Sequence, residues 1–161
     1  MAATQIDNWF APGALIADHL KRQGWPDIRA FLIEEDLAGV QESAQPTPAF
    51  HVLYGGFEIP EQANRGGVLL VVAQFWDVVA AVRNVENTRE LQARGGEMTM
   101  RAMVALAGYR PCEAYQALQP VPGLAPEFSE TGEFGYYPMR YRTQFTARFG
   151  EANRLQSRYG I

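Results

Sequence analysis

The chain has 161 residues, 47% hydrophobic and 20% charged, enough for one domain with its own core and too few for two comfortable ones. A formal charge of −4 and a pI near 5.2 exclude a general nucleic-acid binder, whose domain would be strongly basic. The single cysteine, Cys112, excludes an intramolecular disulfide, and the start of the chain lacks the basic and apolar stretches of a secretory leader, so synthesis in a cytoplasm is expected.

Asp7 or Asn8 can cap a helix, Pro12 suits a first turn, and Leu15, Ile16 and Leu20 share a stripe that Gly24 stops. These signals predict a first helix over about 11–23. Residues 28–33 read as a strand, followed by Glu34, Glu35 and Asp36 at the surface and by a loop through Gln45, Pro46 and Pro48. A second strand is predicted over 49–59, with Phe50, Val52 and Tyr54 on one face and a bulge or bend at Gly55-Gly56. The polar link "PEQANRGG" makes residues 60–67 the mobile tip of a hairpin.

The run "GGVLLVVAQFWDVVAAVRN", residues 66–84, is too short to cross a bilayer, which takes about 20 consecutive apolar residues; Gln74 and Asp77 also interrupt it. Its many valines favour a long strand, with a break near Gln74 as an option. Trp76, Val78, Ala80 and Val82 share one side, expected to face the core, and Phe75, Asp77, Val79, Ala81 and Arg83 share the other. Helical spacing of Leu91, Gly95, Met98, Ala102 and Ala105, with Asn87 or Thr88 as cap, predicts a second helix over about 88–107. Gly95-Gly96 inside it points to close approach of the helix to the sheet or to another chain, or to a break into two helices.

Residues 110–132 carry Pro111, Pro120, Pro122 and Pro126 without periodicity and read as a long mobile loop or a partly extended arm. "YYPMRYRTQFTARF" then alternates strictly: Tyr137, Met139, Tyr141, Thr143, Phe145 and Ala147 on one side, Arg140, Arg142, Gln144, Thr146 and Arg148 on the other. Gly135 is expected to separate this strand from a short one around Phe134, and the polar tail 151–161 to fray or dock as a short helix. The fold class expected is α+β: a single domain spanning 1–161, with a mostly antiparallel or mixed sheet of four to five strands and two main helices packed on it.

Catalytic and metal sites find little support. His19 and His51 are the only histidines, and neither has a Cys, His or carboxylate neighbour at a recognised ligand spacing. His19 reads as a helix-surface residue, His51 as solvent-exposed or paired on the far face of its strand, and Cys112 as a passive small residue. The glycine pairs lack the context of a phosphate loop. An enzyme or small-ligand domain would have to draw on His51, Tyr54, Asp77 and Arg83, which do not read as a convergent set. No catalytic residue, cofactor or metal is expected. Arg140, Arg142 and Arg148 form either a solvated face or a charge-paired contact whose partner would be Glu34, Glu35 and Asp36, on the same chain or on a neighbour. Those six residues are the candidate subunit interface.

The strand ending "FWDVVAAVRN", the helix "GGEMTMRAMVALAGYRP" and the closing strand preceded by "ETGEF" resemble phage tail terminator proteins of the minor tail protein U type, over roughly residues 49–149. The resemblance implies a structural virion-assembly protein of the tail: a homo-oligomeric ring, commonly a hexamer, that caps the tail tube and presents the head–tail joining surface. Its partners would be its own copies, the tail tube protein and a head-completion or connector protein. Neither a membrane nor specifically bound DNA is expected, the DNA passing through an acidic bore. Another tail or neck component of a phage or contractile injection machine is the alternative reading.

Overall fold

Helix α1 (Ala11–Arg22) has Pro12 in its first turn, where a missing amide donor costs nothing. In the computed structural model, which describes residues 6–36, 38, 46–60, 69–84 and 87–148, its N-cap is Phe10 rather than Asp7 or Asn8. Asn8 acts two residues earlier. Its side-chain oxygen accepts from the Phe10 amide at 3.0 Å and its carbonyl accepts from the Ala11 amide, so it shapes the turn that feeds the helix. Ile16, Ala17 and Leu20 are buried, and Asp18 points to solvent.

The strands are β1 (Ala30–Glu34), β2 (Ala49–Glu58), β3 (Leu69–Arg83), β4 (Gln119–Val121), β5 (Glu127–Phe128) and β6 (Phe134–Arg148). They form one sheet in the order β1-β2-β3-β6-β4, with β5 also against β6. Only β1 and β2 run parallel; the other pairs are antiparallel, which makes the sheet mixed and the class α+β. The second helix, α2 (Thr88–Leu106), follows β3 and starts at Asn87, whose side chain accepts from the Glu90 amide at 3.0 Å.

Strand β3 does not break at Gln74. That side chain is fully buried but satisfied: its nitrogen donates to the Trp9 carbonyl at 2.9 Å and its oxygen lies 3.4 Å from the Trp76 indole nitrogen. The irregularity falls on β2 instead, where the register shifts between Tyr54 and Phe57, across Gly55-Gly56. Strand β6 is likewise continuous through Gly135, which pairs with Val82. The hairpin tip expected at 60–67 lies outside the described residues apart from Pro60.

Both helices cover one face of the sheet. There Ile16 and Leu20 of α1, Leu91, Met98, Ala102 and Leu106 of α2, and Trp76, Val78, Ala80, Val82, Tyr137 and Tyr141 of the sheet make the main core. The opposite face is buried as well, although only the Trp76 side was expected to face the core. Leu53, Val79, Ala81 and Tyr136 form a second buried cluster with Phe134 against it. The near-continuous apolar run of β3 is the mark of a strand buried on both sides.

Helix α2 runs unbroken through its two glycines, which have different environments. A Cβ at Gly95 would overlap the Tyr137 ring, whereas one at Gly96 would meet nothing within 4 Å. Each glycine costs a helix interior about 1 kcal/mol relative to alanine. Gly95→Val is therefore expected to destabilise the chain by about 1–3 kcal/mol through overpacking. Gly96→Ala should stabilise it by up to about 1 kcal/mol. Urea denaturation of the two variants tests this, and shifts of the same sign would refute the difference.

The segment after α2 is the extended arm rather than an irregular loop. Tyr115 bridges to Phe145, the Gln116 amide donates to the Gln144 carbonyl at 2.8 Å, and the Thr143 hydroxyl donates to the Gln116 carbonyl at 2.7 Å. Tyr115 and Leu118 are buried, and β4 and β5 then add to the edge of β6. Strands of three and two residues are too short to show a period, and the intervening prolines mask them further.

Candidate functional site

Asp77, Arg140 and Arg142 lie on the helix-free face of the sheet. Asp77 of β3 and Arg140 of β6 stand opposite each other in register, and the guanidinium grips the carboxylate with two bonds, Nε to Oδ1 at 2.8 Å and Nη2 to Oδ2 at 2.9 Å. Asp77 is only 4% exposed. The bond to Asp77 holds the Arg140 pKa above its ordinary value, and the guanidinium also lies 5.8 Å from the centre of the Phe75 ring. Gly55 leaves room for the pair: a Cβ there would sit 3.0 Å from Asp77 Oδ2 and 3.2 Å from Arg140 Nη2.

One pair along β6, Arg142 makes a longer contact, 3.5 Å from Nε to Glu58 Oε1, and donates to Gln144 Oε1 at 3.1 Å. Arg148 ends β6, and its side chain lies outside the described residues. The acidic run sits at the opposite edge: β2 and β3 separate β1 from β6. Within one chain, therefore, Arg140 pairs with Asp77 and Arg142 with Glu58, both away from the acidic run. Glu35 and Asp36 are exposed, and Glu34 approaches His51, with 3.4 Å between Oε1 and Nδ1.

His51 is paired and also fully buried, which excludes the solvent-exposed option. It stands across from Leu32 and Val79, so it belongs to the second buried face. Burial lowers its pKa from 6.5, and the Glu34 carboxylate, 3.4 Å from Nδ1, opposes that shift. The unfolded chain therefore takes up a proton at higher pH than the folded one. Stability from neutral His51 is complete above the ordinary value and declines as pH falls through 6.5 toward the lowered folded value. His51→Phe should flatten the pH dependence of the urea midpoint between about pH 7.5 and about pH 5.5; an unchanged slope would show that another group carries it.

His19 is more than a surface residue. Its ring stacks on Tyr109 with 3.6 Å between centroids, and Nε2 lies 3.0 Å from the Ala105 carbonyl, which ties α1 to the end of α2. Nε2 must carry the proton to make that bond. The four residues available to an enzyme are scattered: His51 and Asp77 lie on the helix-free face and Tyr54 on the helix side, where its ring meets Trp76 at 5.3 Å. Arg83, near the end of β3, bonds Glu133 at 2.7 Å. Among the described residues no group of three or more His, Cys, Asp or Glu could hold a metal ion, and no helix is long and apolar enough to cross a membrane.

Sequence reasoning missed the exposed apolar positions. Phe10, Phe57, Ile59 and Leu69 are exposed near the far end of the β2–β3 hairpin, with Trp9 edge-on to Phe57 at 5.2 Å. Met100 and Val104 project from α2, 57% and 77% exposed. Their helical spacing was available in the sequence, but nothing there distinguishes an apolar stripe facing the sheet from one facing away.

A mixed sheet with helices on one face, an ion pair buried on the other and several large apolar side chains left exposed make an α+β domain with apolar surface available for contact with other proteins. Residues 6–152 match the family model described as phage tail terminator protein, and the chain belongs to that family. It is thus a structural component of a phage tail, made to interact with other tail components. A comparison with curated proteins finds no match.

Proposed function

We propose that the chain terminates the tail tube: copies of it, six in the simplest arrangement, close into a ring that caps the tube and offers the head-completion or connector protein its joining surface. Membership of the tail terminator family over residues 6–152 carries this reading. The acidic balance of the chain suits a bore through which DNA passes without being held, since phosphate affinity comes from lysine and arginine. Purified protein added to tail tubes should appear by negative-stain electron microscopy as a ring at one end only and should stop further tube growth. Lateral decoration, or growth that continues unchanged, would refute the reading.

Within the ring, the acidic end of β1 meets the arginine face of the next subunit. Arg140 is held by Asp77, so Arg142, a quarter exposed and loosely paired with Glu58, is the cation that Glu34 and Asp36 of a neighbour would engage, with Arg148 beyond it on the same strand. Arg142→Glu should weaken assembly while leaving the thermal midpoint of the monomer nearly unchanged. Unaltered particle size by light scattering would remove Arg142 from the interface.

A further inference from the structure

A cluster of aromatic side chains stands partly in water on the helix-bearing side of β2 and β3. Tyr54 meets Trp76 there, and Phe57 pairs with Gln74, whose side chain reaches the same Trp76, so both lie on that side. Trp9 joins them: its indole nitrogen donates to the Tyr54 hydroxyl at 2.9 Å, and its aromatic ring stands edge-on to Phe57 at 5.2 Å. Phe10, the N-cap residue of α1, meets the Tyr54 ring at 5.2 Å. Phe10 is 58% exposed, Phe57 55% and Ile59, two residues on, 45%.

The cluster is held from beneath. Gln74, fully buried, donates to the Trp9 carbonyl, and Phe145 meets the Trp9 ring edge-on at 5.7 Å. A glutamine is costly in a core, and here its amide fixes a tryptophan that is itself only half-buried. Aromatic side chains fixed before contact lose little freedom on binding, and tryptophan and tyrosine are enriched at the centres of protein interfaces for their large contact area. Phe10, Phe57 and Ile59 together leave roughly 300 Å² of side chain in water, against about 800 Å² that each partner covers in an ordinary stable contact. One copy thus carries the centre of an interface, too small to hold a partner firmly alone.

We infer that this aromatic platform seats the chain on the end of the tail tube, against an apolar rim of the tube protein. The docking rests on the ring reading above and names the surface that faces the tube. The contact assigned between copies uses Arg142, whose partner Glu58 lies on the helix-free side; Phe57, its neighbour in the strand, lies on the other, so that contact leaves the platform uncovered. A cap has two axial neighbours, and they arrive in order. The tube covers its side of the cap from the start, whereas the side awaiting the connector stands in water until a head joins. Exposed aromatics suit the first, because surfaces covered for good are the more apolar ones. A ring brings all its platforms to bear at a fixed spacing, so it binds the tube end far more tightly than one copy does. Capping is thereby confined to assembled rings.

The test is the protein concentration at which half of purified tail tubes carry a cap by negative-stain electron microscopy. Phe10→Ser/Phe57→Thr should raise it at least about tenfold, with the ring size by light scattering unchanged. The monomer should keep its thermal midpoint, since serine is a good N-cap and threonine a good strand residue. Phe10→Leu/Phe57→Leu keeps the surface apolar and should cap nearly as the unaltered chain does. Capping by the Ser/Thr variant at the unaltered concentration, or normal capping with failed attachment of heads, would overturn the tube contact and leave the ring reading standing. Loss of the ring itself in that variant would place the platform between copies and overturn it equally. An unaltered chain that neither forms rings nor caps tubes would overturn the ring reading and this docking with it.

Discussion

Arg140→Met is expected to destabilise the folded chain by about 3 kcal/mol, the lower end for breaking a buried ion pair because the arginine itself is partly exposed. The cost arises at Asp77, which is 4% exposed and takes both of its strong bonds from this one side chain. Removing the guanidinium leaves a carboxylate inside the sheet with no water to replace it, a much larger loss than the pair itself contributes. The double variant Asp77→Leu/Arg140→Met should therefore regain most of the stability, since an apolar pair of similar volume avoids the orphaned charge. Urea denaturation of the single and double variants decides the matter. A single variant within about 0.5 kcal/mol of the unaltered chain would show that water reaches Asp77 after all.

Trp76→Ala should cost about 3–5 kcal/mol, the range for deleting a buried aromatic ring from a core that cannot collapse around the space. Trp76 is 2% exposed and its ring lies against α1 so closely that a Cβ at Gly13 would sit 2.8 Å from Cζ3. It also meets Tyr54 at 5.3 Å and reaches Gln74, so one side chain joins α1, β2 and β3. Val104→Ala, on the outward ridge of α2, is the matched control and should change monomer stability by no more than about 0.5 kcal/mol. If thermal melting showed similar shifts for both variants, Trp76 would not be the keystone that its position makes it.

Much of this architecture can be read from the chain. Strict alternation from Tyr137 to Ala147 marked β6, valine-rich residues with Gln74 and Asp77 between them marked β3, and spacing from Leu91 to Ala105 marked α2. Each is a repeat within one segment, so it survives without knowledge of what the segment packs on. The bulge at Gly55-Gly56 and the close approach at Gly95 were legible for the same reason: glycine is costly enough in a strand or helix that its presence signals a local need. The short strands β4 and β5 were not, because pairing with β6 stabilises them and their own residues show no period.

The pairing of charges belongs to the second category. The sequence shows that Arg140 and Arg142 share a strand face, but the choice between Asp77, Glu58 and the acidic run at Glu34 depends on strand order and register. The burial of His51 is similar: alternation placed it opposite Phe50 and Val52, and only the second apolar cluster around Val79 made that side interior. Gly96 and Gly95 are adjacent and identical in sequence, and tertiary contact alone separates the one facing Tyr137 from the one facing outward. By itself the sequence determined the class of the fold, the elements and their apolar faces, because period and propensity are local. The tertiary structure decided which charges are paired, which face of the sheet is dry and which apolar side chains of α2 stay exposed, because those depend on distances between segments far apart in the chain.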